Sequence, residues 1–281
     1  MAESAREATA TYDEDGYAVV RDVVDGGLVE EARRHVDWLR EQNPDRRPED
    51  LDHDLVAGSP FWVRLVSDER LLDVAEAVLG EDLALFASHY VAKPPEEGQR
   101  VLWHQDGAYW PLDPIEDVVT VWLSLDEVTP ENGCMRVVPG TQDLDLLEVE
   151  ERTDVENVLD SGLADHPFEE AEAVDLELSP GDVSVHHPNV VHGSEANTSD
   201  RWRRGLTVRY IPTTTYVEAE PWDSAFHLRG DPGDRNTYQP YPLYDPDDDA
   251  QMPFDGWEAY NERARERNAA LRAAGSLAGD G

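Results

Sequence analysis

Five short segments rich in β-branched and aromatic residues dominate the middle of this chain. They are "LALFASHYVAK" (83–93), "VLWHQDGAYW" (101–110), "VVTVWLSL" (118–125), "DVSVHHP" (182–188) and "RRGLTVRYIP" (203–212). Turn formers bound them, such as Pro94-Pro95 after the first, and each reads as a strand. Helical spacing lies on either side. Residues 27–42 put Leu28, Ala32, His35/Val36 and Leu39 on one face. A second helix is predicted over 70–79, stopped by Gly80, and a third over 256–273. "DPDDDA" (245–250) reads as a solvated loop, and acidic loops such as 143–178 separate the strands. Helices at both ends and strands between them predict a mainly β fold with flanking α: a sandwich or barrel decorated with helices. At 281 residues, one large domain or two small ones could bury a full core.

The charge narrows the function classes. Lys+Arg is 23 and Asp+Glu is 62, a formal net of −39, and the only lysine is Lys93. A nucleic-acid binder needs a basic face, so that class is excluded. Acids spread along a chain with eight Trp residues indicate a folded protein with an acidic surface. The expected setting is a salty cytoplasm, where screening weakens self-repulsion; an ordinary solubilising surface is the plainer alternative. No run approaches the ~20 apolar residues of a membrane span. "MAESAREATATYDEDG" lacks the basic end and apolar stretch of a secretory signal. Cys134 is the only cysteine, so no internal disulfide can form, which fits a cytoplasmic location.

Within the second strand, alternation would point His104 and Asp106 the same way, so together they could grip one side of a metal ion. A third ligand must come from elsewhere. His35 lies on an apolar helix face and reads as half-buried packing, while His53, His166 and His227 lie in acidic loops and read as surface. Of His186 and His187, one faces inward, more in the manner of a satisfied core residue than of a ligand. His192 differs: it follows "PNVV" and opens the polar run "HGSEANTSDRWRR". Two histidines and one carboxylate leave a face of an octahedral ion open and suit non-haem Fe(II). Arg203 follows eleven residues later, and its guanidinium could grip a carboxylate with two parallel hydrogen bonds. Arg204 should point to the other face and pair with an acid, but alternation alone leaves open which arginine faces inward.

These pieces, in this order, resemble the phytanoyl-CoA dioxygenase family of Fe(II)/2-oxoglutarate-dependent oxygenases. The likeness runs through "DGYAVVRDVVD" (15–25), "KPP" (93–95), "WHQD" (103–106), "VWLSLDEVTPENGCMRVVPGTQ" (121–142) and "GDVSVHHPNVVHGSEANTSDRWRRGLTVRY" (181–210). It covers about 15–215 of a single domain spanning 1–281, with a C-terminal extension that carries helix 256–273. The resemblance implies a double-stranded β-helix (jelly-roll, cupin-like) core, with His104, Asp106 and His192 as Fe(II) ligands. It implies that Arg203 holds the distal carboxylate of 2-oxoglutarate, with Ser194 beside it, and that Gln105, Trp122 and His89 line the co-substrate pocket. Trp122 could equally be plain core. Asn132-Gly133 and Pro139-Gly140 are turn formers bordering the site. Relatives often read "PGSH" where this chain has "PGTQ", a difference placed in a loop. Asp106 is present where halogenating relatives lack a carboxylate, so O₂-dependent hydroxylation of a small-molecule substrate is implied.

The substrate stays open. Tyr109 and Trp110 either wall the iron or pack the barrel mouth. Arg209 either meets an acidic substrate group or forms a structural ion pair, and Arg136 invites the same caution. Loop 143–178 is either a lid or surface. No stretch matches the ectoine-hydroxylase signature of the family, and an acyl-CoA would want a basic groove that the charge argues against. Two rivals remain: a cupin-like metal dioxygenase or isomerase that does not use 2-oxoglutarate, and a non-catalytic binding protein on the same fold.

Overall fold

A computed structural model describes residues 10–165, 168–219, 222 and 224–278. After a helical segment over residues 10–15, the chain forms α1 (Gly26–Gln42), α2 (Pro60–Val66), α3 (Glu69–Leu79) and α4 (Trp257–Ala274). Helix α1 begins where the Asp25 side chain accepts the Gly27 and Leu28 N–H groups. Helix α3 ends at Gly80, whose φ of 91° suits glycine. Helix α2 was not foreseen: apolar on nearly every side and seven residues long, it shows no helical period. Pro60 and the Ser59 hydroxyl, which accepts the Trp62 N–H, start it.

The strands are β1 (Tyr17–Val20), β2 (Leu83–Lys93), β3 (Val101–His104), β4 (Leu112–Asp113), β5 (Val119–Ser124), β6 (Met135–Val137), β7 (Val149–Glu151), β8 (Ser161–Leu163), β9 (Val174–Leu176), β10 (Val183–His186), β11 (His192–Ser194), β12 (Arg203–Pro212), β13 (Tyr216–Val217) and β14 (Phe226–Arg229). Two antiparallel sheets build the jelly-roll core. A six-stranded sheet runs β1-β10-β5-β12-β2-β14, and a four-stranded sheet runs β3-β11-β6-β9. Two small pairs, β4-β13 and β7-β8, complete it. The stretch 143–178, read as a loop, therefore contains β7, β8 and β9.

Alternation divides the large sheet into two functions. Val183 and Val185 of β10, Val119, Val121 and Leu123 of β5, and Leu206, Val208 and Tyr210 of β12 pack under the helices in the main core. Tyr244, Phe254, Tyr260 and Ala264, in and before α4, join the same core. The opposite face carries Thr120, Trp122, His186, Arg203, Thr207 and Arg209. One irregularity shifts the phase: Arg209 pairs with Ala87 and Tyr210 with Leu85, so Phe86 is an extra residue in β2. This bulge lets Phe86 and Ala87 both face the interior.

His35 is wholly buried, not half-buried. Its ring nitrogens hydrogen-bond the Tyr90 hydroxyl (2.9 Å) and the Ser59 hydroxyl (3.0 Å). Burial pushes its pKa down to about 3. In the unfolded chain the imidazole titrates near 6.5, so between those values the unfolded state binds more protons. His35 therefore adds full stability above about pH 6.5, and that contribution is lost as the pH falls toward about 3. Denaturant unfolding of wild type and His35→Gln tests this. Between about pH 7 and pH 4.5, wild type should lose about 3 kcal/mol more than the variant. Equal losses would show that His35 is not held neutral.

Candidate metal centre

Strand β3 ends at His104, and Asp106 opens a short 3₁₀ turn, Asp106–Tyr109. The continuous strand expected over 101–110 does not form. Gln105 is pinned at both ends: its Nε2 donates to the Asn189 carbonyl (2.8 Å) and its Oε1 accepts the Leu147 N–H (2.7 Å). The Gly107 N–H goes to the Pro188 carbonyl (2.9 Å). Asp106 thus joins His104 through a turn, not through strand alternation. His192 opens β11 directly opposite His104 across the sheet.

The two imidazoles are oriented alike. His104 Nδ1 lies 2.9 Å from the Leu102 carbonyl, and His192 Nδ1 lies 3.0 Å from the Val190 carbonyl. A carbonyl only accepts, so each Nδ1 carries a proton and each Nε2 is the nitrogen left to ligate a metal ion. Those Nε2 atoms lie 3.6 Å and 4.0 Å from Asp106 Oδ1. The ligating atoms of His104, Asp106 and His192 all fall within 4.8 Å of one another, the one such group among the described residues. Neighbouring ligands on one octahedral ion sit roughly 3 Å apart. Two imidazoles and a carboxylate at this spacing suit Fe(II).

Asp106 is buried, and burial opposes its ionisation. The Arg209 guanidinium (Nη2 3.7 Å from Oδ1), His104 and His186 outweigh that and hold its pKa well below the usual carboxylate range. Thr120 Oγ1 donates to Oδ2 (3.1 Å). Burial, then His104 and His186, push the His192 pKa well down, so its ring stays a neutral ligand. Arg209 also donates to His89 Nδ1 (2.8 Å).

Two histidines are not where sequence reasoning put them. His186, taken for a satisfied core residue, lines the cavity with no hydrogen-bond partner at either ring nitrogen. It is the inward member of its pair because β10 alternates Val185 toward the helices. His227, taken for surface, is buried on β14: its Nδ1 accepts from Arg267 (3.0 Å), and burial pushes its pKa to about 4. Strand β14 was not predicted, so its burial was invisible. His53 is exposed at the cavity rim, and His166 lies outside the described residues.

The triad opens onto a cavity of about 530 Å³. Arg203 lies in its wall, 2% exposed. Its Nε has no hydrogen-bond partner, and among the described residues no carboxylate pairs with it, unlike Arg204 with Asp126 (2.9 Å) and Arg209 with Asp106. Burial pushes the Arg203 pKa down to about 10. Its guanidinium sits over Trp122, 5.3 Å from the ring centroid. Trp122 in turn lies against Gly205, where a Cβ would come within 2.0 Å of the indole. Ser194 Oγ accepts from Lys93 Nζ (2.7 Å), which also donates to the Glu195 carbonyl. Burial, then Arg203, push the Lys93 pKa well down.

Ser194, Trp122, His89, Tyr109, Trp110 and Arg209 all line the cavity, and Gln105 does not. Gln105 faces the loops at 147 and 189, where its amide hydrogen-bonds at both ends. Arg136 also lies outside the cavity, paired with Asp175 (3.0 Å) over Trp103. At the outer end, Trp110 meets Phe86 edge-on (5.8 Å) and carries the Arg209 guanidinium over its ring (4.9 Å). Sequence reasoning missed Phe86, Trp222 and Leu159 in this wall, along with Lys93 and Thr120 deeper in. Only Lys93 carried a signal, as the chain's single lysine.

A family model described as "Phytanoyl-CoA dioxygenase (PhyH)" matches residues 12–205. Among curated relatives, a "Phytanoyl-CoA dioxygenase domain-containing protein 1 homolog" from Caenorhabditis briggsae is 25% identical over 221 residues, 75% of this chain and 77% of that protein. "Ectoine dioxygenase" from Sphingopyxis alaskensis is 27% identical over 266 residues, 82% of this chain and 84% of that protein. Among solved structures, "non-heme monooxygenase; ThoJ apo" superposes with TM-score 0.71 at 24% identity, covering 95% of this chain and 98% of its own, a likeness of fold.

Proposed function

This chain belongs to the phytanoyl-CoA dioxygenase family, and on that premise we propose that His104, Asp106 and His192 hold Fe(II) while Arg203 and Ser194 hold the distal carboxylate of 2-oxoglutarate. The chain is a 2-oxoglutarate-dependent dioxygenase; with Fe(II) and O₂ bound, such a centre couples decarboxylation of 2-oxoglutarate, to succinate and CO₂, to hydroxylation of a small molecule. The observation that carries the reading is Arg203. A buried guanidinium without a carboxylate is costly unless a ligand supplies one, and this one shares a cavity with the triad. A cupin-like enzyme without 2-oxoglutarate leaves Arg203 unexplained.

The chain's own residues perform the rest. Lys93 donates to Ser194 Oγ and so fixes that hydroxyl beside Arg203. Trp122 supports the guanidinium from below and keeps water from it. The Leu102 and Val190 carbonyls hold the proton on each Nδ1, so both Nε2 atoms stay basic. His89 and Asp106 together hold Arg209 at the metal end.

The outer wall points to the substrate's character. Phe86, Tyr109, Trp110, Leu159 and Trp222 make it largely apolar, and Asp52 and Asp54 stand at its rim. Arg209, at the metal end of the same cavity, is neutralised by Asp106. The substrate is therefore a largely apolar small molecule, neutral or cationic, and not an acyl-CoA. Succinate release from 2-oxoglutarate tests both parts, screened against hydrophobic amines, neutral terpenoids, ectoine and acyl-CoA thioesters. Stimulation by the neutral or cationic apolar compounds is expected. Stimulation by acyl-CoA alone overturns the substrate assignment, and a protein that cannot bind 2-oxoglutarate at all overturns the enzyme.

The residues 1–281 act as one domain in a salty cytoplasm. No described helix is long and apolar enough to cross a membrane. The single lysine is buried, and partly exposed arginines such as Arg46, Arg70 and Arg229 pair with acids. Screening of the −39 net charge should then raise stability. Chemical unfolding should shift to higher denaturant in multimolar KCl; greater stability at low salt would contradict this setting.

A further inference from the structure

We propose that His186 is a positioning residue for the metal centre, donating its Nε2–H to the outer oxygen of the Asp106 carboxylate. The inference rests on the triad reading above. His186 is 2% exposed, and neither ring nitrogen has a hydrogen-bond partner. Two orphaned nitrogens in a buried imidazole are costly, and a native site that keeps them has a use for them. The nearest acceptor is Asp106 Oδ2, 3.5 Å from Nε2.

The sheet explains why. His186 and Thr120 are direct cross-strand partners on β10 and β5, both on the interior face. Both reach the same oxygen, Thr120 Oγ1 at 3.1 Å and His186 Nε2 at 3.5 Å. The other oxygen, Oδ1, is the one nearest the Nε2 atoms of His104 and His192. The carboxylate therefore has an inner oxygen toward the metal ligands and an outer oxygen toward two donors. Because Nδ1 of His186 has no acceptor, the ring proton belongs on Nε2, where an acceptor exists.

The same geometry argues against a fourth ligand. The cluster of ligating atoms within 4.8 Å contains His104, Asp106 and His192 but not His186. His186 stands behind Asp106, and its ring lies against His192 at 4.6 Å between centroids. It would fix Asp106 in one-oxygen ligation and limit tilting of the His192 ring. Partners of this outer kind commonly change metal affinity by about 10–100-fold.

Anaerobic Co(II) binding by chelator competition, on the full chain, tests the assignment. His186→Phe keeps the ring's bulk and removes the donor; its Co(II) affinity should fall about 10–100-fold. Its metal-free thermal unfolding should be unchanged or higher, because an unpartnered polar ring has been replaced by an apolar one. His186→Gln, which keeps an N–H donor, should recover part of the loss, and His186→Leu serves if the phenylalanine ring does not fit. Wild-type affinity in the folded variant overturns the proposal, as does a glutamine variant as weak as phenylalanine. Pulsed EPR of the Cu(II)-loaded wild type should count two coordinated imidazoles, and a third would make His186 a ligand and overturn the positioning role. Wild-type protein that binds no Co(II) would instead refute the triad reading itself.

Discussion

Replacing Arg203 by methionine should weaken 2-oxoglutarate binding by about 10²–10³-fold while leaving the protein without 2-oxoglutarate at least as stable as wild type. The two effects have one cause. Arg203 is buried, its Nε is unpartnered, and no carboxylate among the described residues neutralises it. Burial already pushes its pKa down to about 10, the sign of a cation held where it is poorly solvated. Methionine has a similar volume and no charge, so it removes that cost in the unliganded protein. It also removes the donor pair that a distal carboxylate needs. Isothermal titration with 2-oxoglutarate and thermal unfolding measure both at once. Unchanged 2-oxoglutarate affinity would remove Arg203 from the site. A large loss of stability would mean that it has a structural partner instead.

Asp106→Ala should behave in the opposite way. It should cost at least ~10³-fold in metal affinity and also destabilise the fold, by about 3–5 kcal/mol near neutral pH. Asp106 is the carboxylate that faces Arg209, with Oδ1 at 3.7 Å, and both side chains are buried. Removing the acid leaves the buried Arg209 with neutral partners, the His89 nitrogen, the Thr207 hydroxyl and the Trp110 ring, and no counter-charge in contact with it. The double variant Asp106→Ala/Arg209→Met should therefore recover much of the lost stability and none of the metal affinity. A thermodynamic cycle over wild type, both single variants and the double variant checks this. Additive stability changes would show that the ion pair is not coupled, and retained Co(II) binding in the single variant would remove Asp106 from the ligand set.

Much of this was legible in the residues themselves. Strands β2 and β12 match their sequence runs end to end, because long β-branched and aromatic stretches stop at prolines or polar turns. Alternation along β12 put Arg203 and Arg209 on one face and Arg204 on the other, and the structure places them so. Alternation failed where the chain leaves the strand. The 3₁₀ turn at Asp106 is set by distant hydrogen bonds from Gln105 and Gly107, which no local pattern announces. The Phe86 bulge reverses the phase of β2 for the same reason: it is a property of the pairing with β12, not of the run itself. Which of His186 and His187 faces inward stays open in the sequence, because a histidine in a strand does not reveal what stands opposite it. The meaning of His186 comes from Thr120 and Asp106 on other segments. Trp122 was posed as either pocket wall or core, and it is both: it supports Arg203 and packs on Gly205.

Anaerobic titration of the wild-type protein with 2-oxoglutarate, with and without Fe(II), tests the central claim most directly. One 2-oxoglutarate should bind per chain, tightly only when Fe(II) is present, and a weak visible absorption band should grow in proportion. Iron binding with no uptake of 2-oxoglutarate would contradict the account and leave a metal enzyme of another kind on this fold.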